Sequence, residues 1–138
     1  MDFGIFSGDA RVIFAVGVAE ESVSFESELD PPAAEIVTVA AHPEITGIEL
    51  AENSASVEIS VRSVLDYKDV KGAEHTWLVE DTVTCGMDLP GAVETDSVAG
   101  YMLDVIDFND ELLEDGKVWI HTCHLRMTVS AEREYCHI

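Results

Sequence analysis

The sequence predicts an all-β domain, either an antiparallel β-sandwich, a jelly-roll-like fold or a small barrel, with about eight or nine strands. Apolar residues recur with a period of two, which is the repeat of a strand, and amphipathic helical patterns are nearly absent. The 138 residues are enough to build one core, and no linker interrupts them. We therefore expect a single domain over residues 1–138.

The clearest strand is 54–67, where Val57, Ile59 and Val61 alternate with polar residues, as in a half-buried antiparallel strand. The other candidate strands, in chain order, are 10–19, 22–28, 35–41, 75–85, 98–107, 117–129 and 133–138.

Turn signals separate several of these candidates. The sequence DPPAA at 30–34 breaks the chain, because its two prolines supply no donors to a sheet ladder. The segment 35–41 that follows is rich in β-branched residues, which favours a strand. LPGA at 89–92 indicates a turn.

Three hairpins follow from this order of strands. In GIELAENSASVEI, a turn at ENSA would place Leu50 opposite Val57 and Ile48 opposite Ile59. Two further hairpins are unusually long, one joining 56–67 to 75–85 and the other joining 98–107 to 117–129. Hairpins of this length can project beyond the body of a domain and reach a neighbour.

At most one short helix is expected, near 109–115. Asn109 could cap it, acidic residues fill its first turn, and Gly116 fits just past its end. The alternative for FNDELLEDG is a plain acidic hairpin loop.

The charge is the outlying feature of the composition, since 28 acidic against 7 basic residues give a net charge of −21. With 47% apolar residues the chain can still form a core, so a folded acidic domain is expected. Such a charge is typical of proteins from a salt-loaded cytoplasm, with counter-ions from the salt screening it. The alternatives are an ordinary acidic mesophile protein or an acidic partner of a basic surface.

The same numbers bear on partners and location. Seven scattered bases cannot neutralise many phosphates, so direct nucleic-acid binding is not expected. The N-terminal MDFGIF lacks the basic region of a secretory signal, and no apolar run is long enough to span a membrane. We therefore expect a cytoplasmic protein, or one assembled into a virion, whose three cysteines remain thiols.

The most chemical stretch is VWIHTCHLRM at 118–127. If 117–129 is a strand, His121 and Cys123 share its more apolar face with Trp119 and point into the core. A return strand over 133–138 would bring Cys136 opposite Cys123 or diagonal to it. His121, Cys123 and Cys136 are thus weak candidates for metal ligands.

No recognised spacing accompanies these residues, so no metal or other cofactor is expected, zinc included. The preferred interpretation is buried thiols packed as small apolar groups beside a hydrogen-bonded histidine. No catalytic residues are assigned either, because the sequence contains no G-x-S-x-G elbow and adjacent Cys136 and His137 would face opposite sides of a strand.

Two of the three lysines, Lys68 and Lys71, lie in one predicted hairpin tip. A solvated loop would explain them, but a basic tip could also dock on an acidic surface of an identical neighbour. The candidate surface is the segment 107–115. Its acidic interface candidates are Asp107, Asp110, Glu111, Glu114 and Asp115.

These features favour a non-enzymatic structural protein of a halophile-type system that forms a homo-oligomer or joins other subunits of a larger assembly. A virion component agrees best with them: a capsid decoration or minor capsid protein, a head–tail connector or a tail-tube subunit. The alternatives are a small-molecule or metal-binding β-barrel, with or without enzymatic activity, that uses His121, Cys123 and Cys136, and an acidic adaptor that binds a basic partner.

Overall fold

The computed structural model describes residues 10–135, which form six antiparallel strands in two three-stranded sheets. The strands are β1 (Ala10–Glu28), β2 (Glu35–Ala51), β3 (Ser54–Lys68), β4 (Glu74–Asp88), β5 (Ser97–Leu113) and β6 (Val118–Tyr135). Sheet A has the order β1-β6-β5 and sheet B the order β2-β3-β4. The all-β prediction is confirmed, and neither sheet closes into a barrel.

The core lies between the central strands of the two sheets. In β3, every second residue from Ala55 to Val61 is at most 3% exposed, and in β6 the same holds from Cys123 to Ala131. These residues pack in one cluster with β1 side chains such as Val23 and Phe25. The period-two apolar pattern therefore places one face of each central strand in a shared core.

The number of strands is smaller than predicted, because neighbouring candidates merge. Candidates 10–19 and 22–28 form the single strand β1, in which Glu20 and Glu21 stay in the ladder opposite Arg126 and Leu125. Similarly, β2 continues through Pro43, which lies opposite Val61. Proline has no backbone N–H, but β2 is an edge strand, and the side of an edge strand that has no neighbour requires no backbone donor. The chain thus has six strands over 10–135 where eight or nine were expected.

The β2–β3 hairpin was predicted in the correct place but with the wrong register. Its turn has only two residues, Glu52 and Asn53, and Asn53 adopts a left-handed φ of 56° that asparagine tolerates. Consequently Ile48 pairs with Val57, and the residue opposite Ile59 is Ile45. The apolar faces of the two strands still align, because Ile45 and Ile48 both remain opposite core residues of β3.

Both long hairpins are confirmed. β3 and β4 pair from Ser54–Asp88 to Lys68–Glu74, and β5 and β6 pair from Ser97–Glu132 to Leu113–Val118. At about 3.3 Å per residue, β3 alone spans roughly 45 Å. The tip of the β3–β4 hairpin and the β2–β3 turn therefore lie at opposite ends of the molecule.

The helix predicted near 109–115 is wrong. Asn109 continues β5 and pairs with Thr122, and the strand ends only at Leu113. The chain then reverses through a single 3-10 turn, Glu114–Gly116, whose first two residues have left-handed φ values of 52° and 56°. Two residues in the left-handed region make a tight hairpin turn rather than a helix.

Within residues 10–135 no helix is long and apolar enough to cross a membrane.

One end of the molecule is made by three segments that are distant in sequence. Leu29 N donates to Lys117 O at 2.7 Å, Ala33 N donates to Gly116 O at 2.9 Å, and Ala34 N donates to Lys68 O at 2.7 Å. These bonds join the 29–34 linker, the β3–β4 tip and the β5–β6 turn. We call this the lysine end, because Lys68, Lys71 and Lys117 all lie there. The opposite end, with the β2–β3 turn, is the turn end.

Gly116 is expected to be intolerant of any side chain. Its φ is 85°, and a Cβ built on it would lie 1.8 Å from Ala33 O. Gly116→Ala should therefore destabilise the fold by roughly 2–4 kcal/mol, from backbone strain together with the clash. Chemical denaturation measures this value.

Gly72→Ala is the matched control, because Gly72 has a similar φ of 81° but a Cβ added to it would have no other atom within 4 Å. It should lose only the strain contribution, about 1 kcal/mol. Equal losses in the two variants would contradict the role given to the Ala33 contact.

Candidate functional site

The face alternation predicted for 117–129 is confirmed in β6. Trp119, His121 and Cys123 are at most 1% exposed, whereas Arg126 is exposed on the other face. The return strand predicted over 133–138 is wrong for its described part, because β6 continues to Tyr135 paired with β1. Cys136 lies outside the described residues, and the turn that would have folded it back onto Cys123 does not form.

A chain of polar contacts links β5 to β6 inside the core. Asp110, directly opposite His121 in the ladder, accepts hydrogen bonds on Oδ1 from His121 Nδ1 at 2.6 Å and from Trp119 Nε1 at 2.9 Å. The His121 ring stacks on Trp119 with centroids 5.0 Å apart. Cys123 Sγ lies 3.1 Å from His121 Nε2. We call Asp110, His121 and Cys123 the core relay.

One tautomer of His121 is consistent with both of its contacts in the core relay. When Nδ1 carries the proton and donates to Asp110 Oδ1, Nε2 can accept a hydrogen bond from the Cys123 thiol. Burial, with the nearby charge of Asp110, raises the pKa of Cys123 to about 11. The sulfur is therefore held as a thiol at neutral pH.

The core relay contains an acid, an imidazole and a thiol, in the order in which such groups activate a nucleophilic cysteine. A nucleophilic cysteine, however, needs thiolate character and access for a substrate. Cys123 is 0% exposed, and none of five well-formed surface clefts among the described residues is lined by a member of the core relay. In this conformation the relay satisfies buried polar groups and offers no reactive sulfur.

A metal site at this place would have two adjacent donor atoms but not a complete set of ligands. His121 and Cys123 are adjacent, with nitrogen and sulfur donors of the kind that zinc prefers. Within residues 10–135 no three His, Cys, Asp or Glu side chains are grouped so that they could hold a metal ion. The described residues thus supply two donors at most at this place, His121 Nε2 and Cys123 Sγ.

The burial of Cys123 predicts how slowly it should be alkylated. A thiol pKa about two units above normal leaves about a hundredfold less thiolate at pH 8, and burial blocks access as well. Iodoacetamide should therefore modify Cys123 at least a hundredfold more slowly in the folded protein than in urea. Mass mapping of Cys123 and half-buried Cys85 in one sample measures both rates. Equal rates for Cys123 with and without urea would contradict the buried relay.

The second group of candidates lies at the lysine end. The tip of the β3–β4 hairpin is held by Asp69, whose Oδ1 accepts from Lys71 N at 2.8 Å and Ala73 N at 3.0 Å. Asp69 Oδ2 accepts from His75 Nε2 at 2.8 Å, and this hydrogen bond chiefly holds the pKa of Asp69 below its usual value. The turn is thus fixed by its own side chains.

The arginines and the lysines differ in whether their charges are paired with carboxylates. Each arginine has a carboxylate partner: Arg11 with Glu132, Arg62 with Glu80, Arg126 with Glu20 and Arg133 with Asp96. No lysine ammonium group makes an ion pair or hydrogen bond to another described residue. The unpaired positive charges of the described chain are therefore gathered at the lysine end.

The acidic interface candidates are placed differently from one another. Asp107 and Glu111 are exposed on β5, and Glu114 and Asp115 are exposed in the β5–β6 turn. Asp110 instead points inward, with a side chain only 16% exposed, so it serves the core relay. The segment runs toward the same end of the molecule as Lys68 and Lys71.

Sequence reasoning missed Asp110 as the partner of His121 because it ended the strand at 107. Extending the strand 98–107 by six residues would have brought Asp110 into the β5–β6 ladder beside His121. Sequence reasoning also missed an open cleft at the turn end, because its walls come from four strands, β1 to β4.

Comparisons with protein-family models, with curated proteins and with solved structures found no match to this chain.

Proposed function

We propose that the chain is a non-enzymatic structural subunit of a larger assembly in a high-salt system, built as a β-sandwich. A virion component is the best candidate: a capsid decoration or minor capsid protein, a head–tail connector or a tail-tube subunit. The proposal is analogy from architecture and surface to role.

The observation that carries the proposal is the placement of exposed apolar side chains. Of the fourteen large apolar residues exposed in the described chain, ten lie on β1 and β5, the two edge strands of sheet A. Examples are Val16 and Val18 on β1 and Met102 on β5, each about 60% exposed. Apolar side chains on strand edges with unpaired backbone groups are typical of surfaces covered by another chain.

The assembly proposal is tested by the mass of the purified protein in about 2 M KCl, where most charge repulsion is screened. Multi-angle light scattering should return a multiple of the 15.0 kDa chain mass. A mass of 15.0 kDa at every protein concentration tested would reject the proposal.

A second candidate function, metal or small-molecule binding with or without catalysis, is supported by the 3.1 Å contact between His121 Nε2 and Cys123 Sγ. Metal analysis of protein purified in salt without chelator separates the two. Stoichiometric zinc, iron or copper, lost in a Cys123→Ser variant, would favour the second candidate.

A further inference from the structure

The β3–β4 tip presents one apolar side chain between two cations. Val70 is 82% exposed, the largest exposure among the exposed large apolar residues described, and it lies between Lys68 and Lys71. The hydrogen bonds of Asp69 hold this turn in one shape. A partner that binds the tip therefore has little chain entropy to remove, which favours association.

The turn end carries a cleft whose charged lining residues are acidic, whereas the tip is basic. It is an open cleft of about 630 Å³ between β1 and the ends of β2, β3 and β4. Its apolar lining residues include Val18, Leu50 and Met87, and its acidic lining residues are Glu21, Glu49 and Asp88. None of the described basic side chains lines it.

The two features cannot meet within one molecule. The tip and the cleft lie at opposite ends of β3, roughly 45 Å apart. Only another molecule can bring a tip to this cleft.

We propose that the Lys68–Lys71 tip of one copy docks in this cleft of a second copy, with Val70 against the apolar lining residues and the lysines beside the carboxylates. The contact rests on the proposed function, assembly of the chain, and adds one pair of surfaces to the exposed apolar residues of β1 and β5. Complementary charges fix the orientation and disfavour tip-to-tip or cleft-to-cleft pairing.

This contact joins unlike surfaces, so a copy bound only through its tip or only through its cleft can still bind a further copy. Such head-to-tail contacts give a ring if the rotation between copies closes, and an open filament if it does not. Docking of the tip on the 107–115 segment would instead join two lysine ends and leave the turn ends outward, because the β3–β4 tip and the β5–β6 turn lie at the same end.

Charge exchange tests the proposal. The tip variant carries Lys68→Glu with Lys71→Glu, and the cleft variant carries Glu49→Lys with Asp88→Lys. The control, Asp107→Lys with Glu111→Lys, makes the same change of net charge as the cleft variant, on exposed residues of β5. A fourth variant, Val70→Asp, tests the apolar contact. Circular dichroism establishes that each is folded, and light scattering in about 0.5 M and 2 M KCl gives its mass.

We expect the tip, cleft and Val70→Asp variants each to scatter at a lower mass than the wild type. An equimolar mixture of the tip and cleft variants should recover the mass of the wild type, because the native tip of the cleft variant complements the native cleft of the tip variant, and the two exchanged surfaces also complement each other. The control should assemble like the wild type.

The failures are distinguishable. If the wild type assembles but the tip and cleft variants keep its mass, the docking contact is wrong while the assembly function stands. If the Asp107 and Glu111 variant loses mass and the cleft variant does not, the tip docks on that segment instead. A wild type of 15.0 kDa would overturn both proposals.

Discussion

In about 0.1 M KCl the protein should lose the cooperative thermal unfolding transition that it shows in about 2 M KCl. A net charge of −21 on 138 residues repels itself in the folded state. The Debye length falls from about 10 Å at 0.1 M to about 3 Å at 1 M, so salt removes most of that repulsion. Circular dichroism melts at the two salt concentrations measure the effect.

Sucrose is the control for this experiment, because it stabilises folded proteins by exclusion from the surface without screening charge. If screening is the cause, KCl should restore the transition at concentrations where sucrose restores much less. Cooperative melts with the same midpoint at both salt concentrations would contradict the prediction and remove the case for a high-salt origin.

Asp110→Ala should destabilise the fold by roughly 2–6 kcal/mol, because it leaves two buried donors without an acceptor. Asp110 Oδ1 accepts from both Trp119 Nε1 and His121 Nδ1, and these two residues are at most 1% exposed. An unsatisfied buried donor costs about 1–3 kcal/mol, more where a charged acceptor is lost. Denaturant unfolding in high salt measures the loss.

Asp107→Ala is the matched control, since Asp107 is an exposed aspartate on the same strand whose side chain accepts a hydrogen bond from Phe108 N, its immediate neighbour. It should change the free energy of unfolding by less than about 0.5 kcal/mol. Similar values for the two variants would show that the core relay does not stabilise the fold.

The parts of the fold that local patterns determine were predictable. The all-β class, both long hairpins and the inward face of 117–129 follow from the period of two in the apolar residues and from the order of the predicted strands. The number of strands was not predictable in this way. In the sequence, Glu20, Glu21 and Pro43 resemble breaks between strands, but in the structure they lie within long edge strands. Whether such residues interrupt a ladder depends on which side of the strand has a neighbour.

The candidate site was half predictable for a related reason. Alternation alone placed His121 and Cys123 together, since both belong to one strand. Their link to Asp110 depends on the register between β5 and β6, which is set by the left-handed turn at Glu114 and Asp115. Glutamate is not a signal for such a turn, and the Asp115–Gly116 pair, which is one, was interpreted as the end of a helix or as part of an acidic loop.

The order of the strands along the chain dictates when each sheet can be completed. Sheet B is made of consecutive strands, so its hairpins need only short loop closures. Sheet A depends on β6, its central strand, which follows all the others in the chain, and the β1–β6 ladder brings residue 10 to residue 135. Until β6 has been synthesised, β1 and β5 have no ladder partner in sheet A. During synthesis, sheet B can therefore form first, as a three-stranded meander whose apolar face is not yet covered by sheet A. The chain is then most prone to aggregate in the interval before β6 emerges.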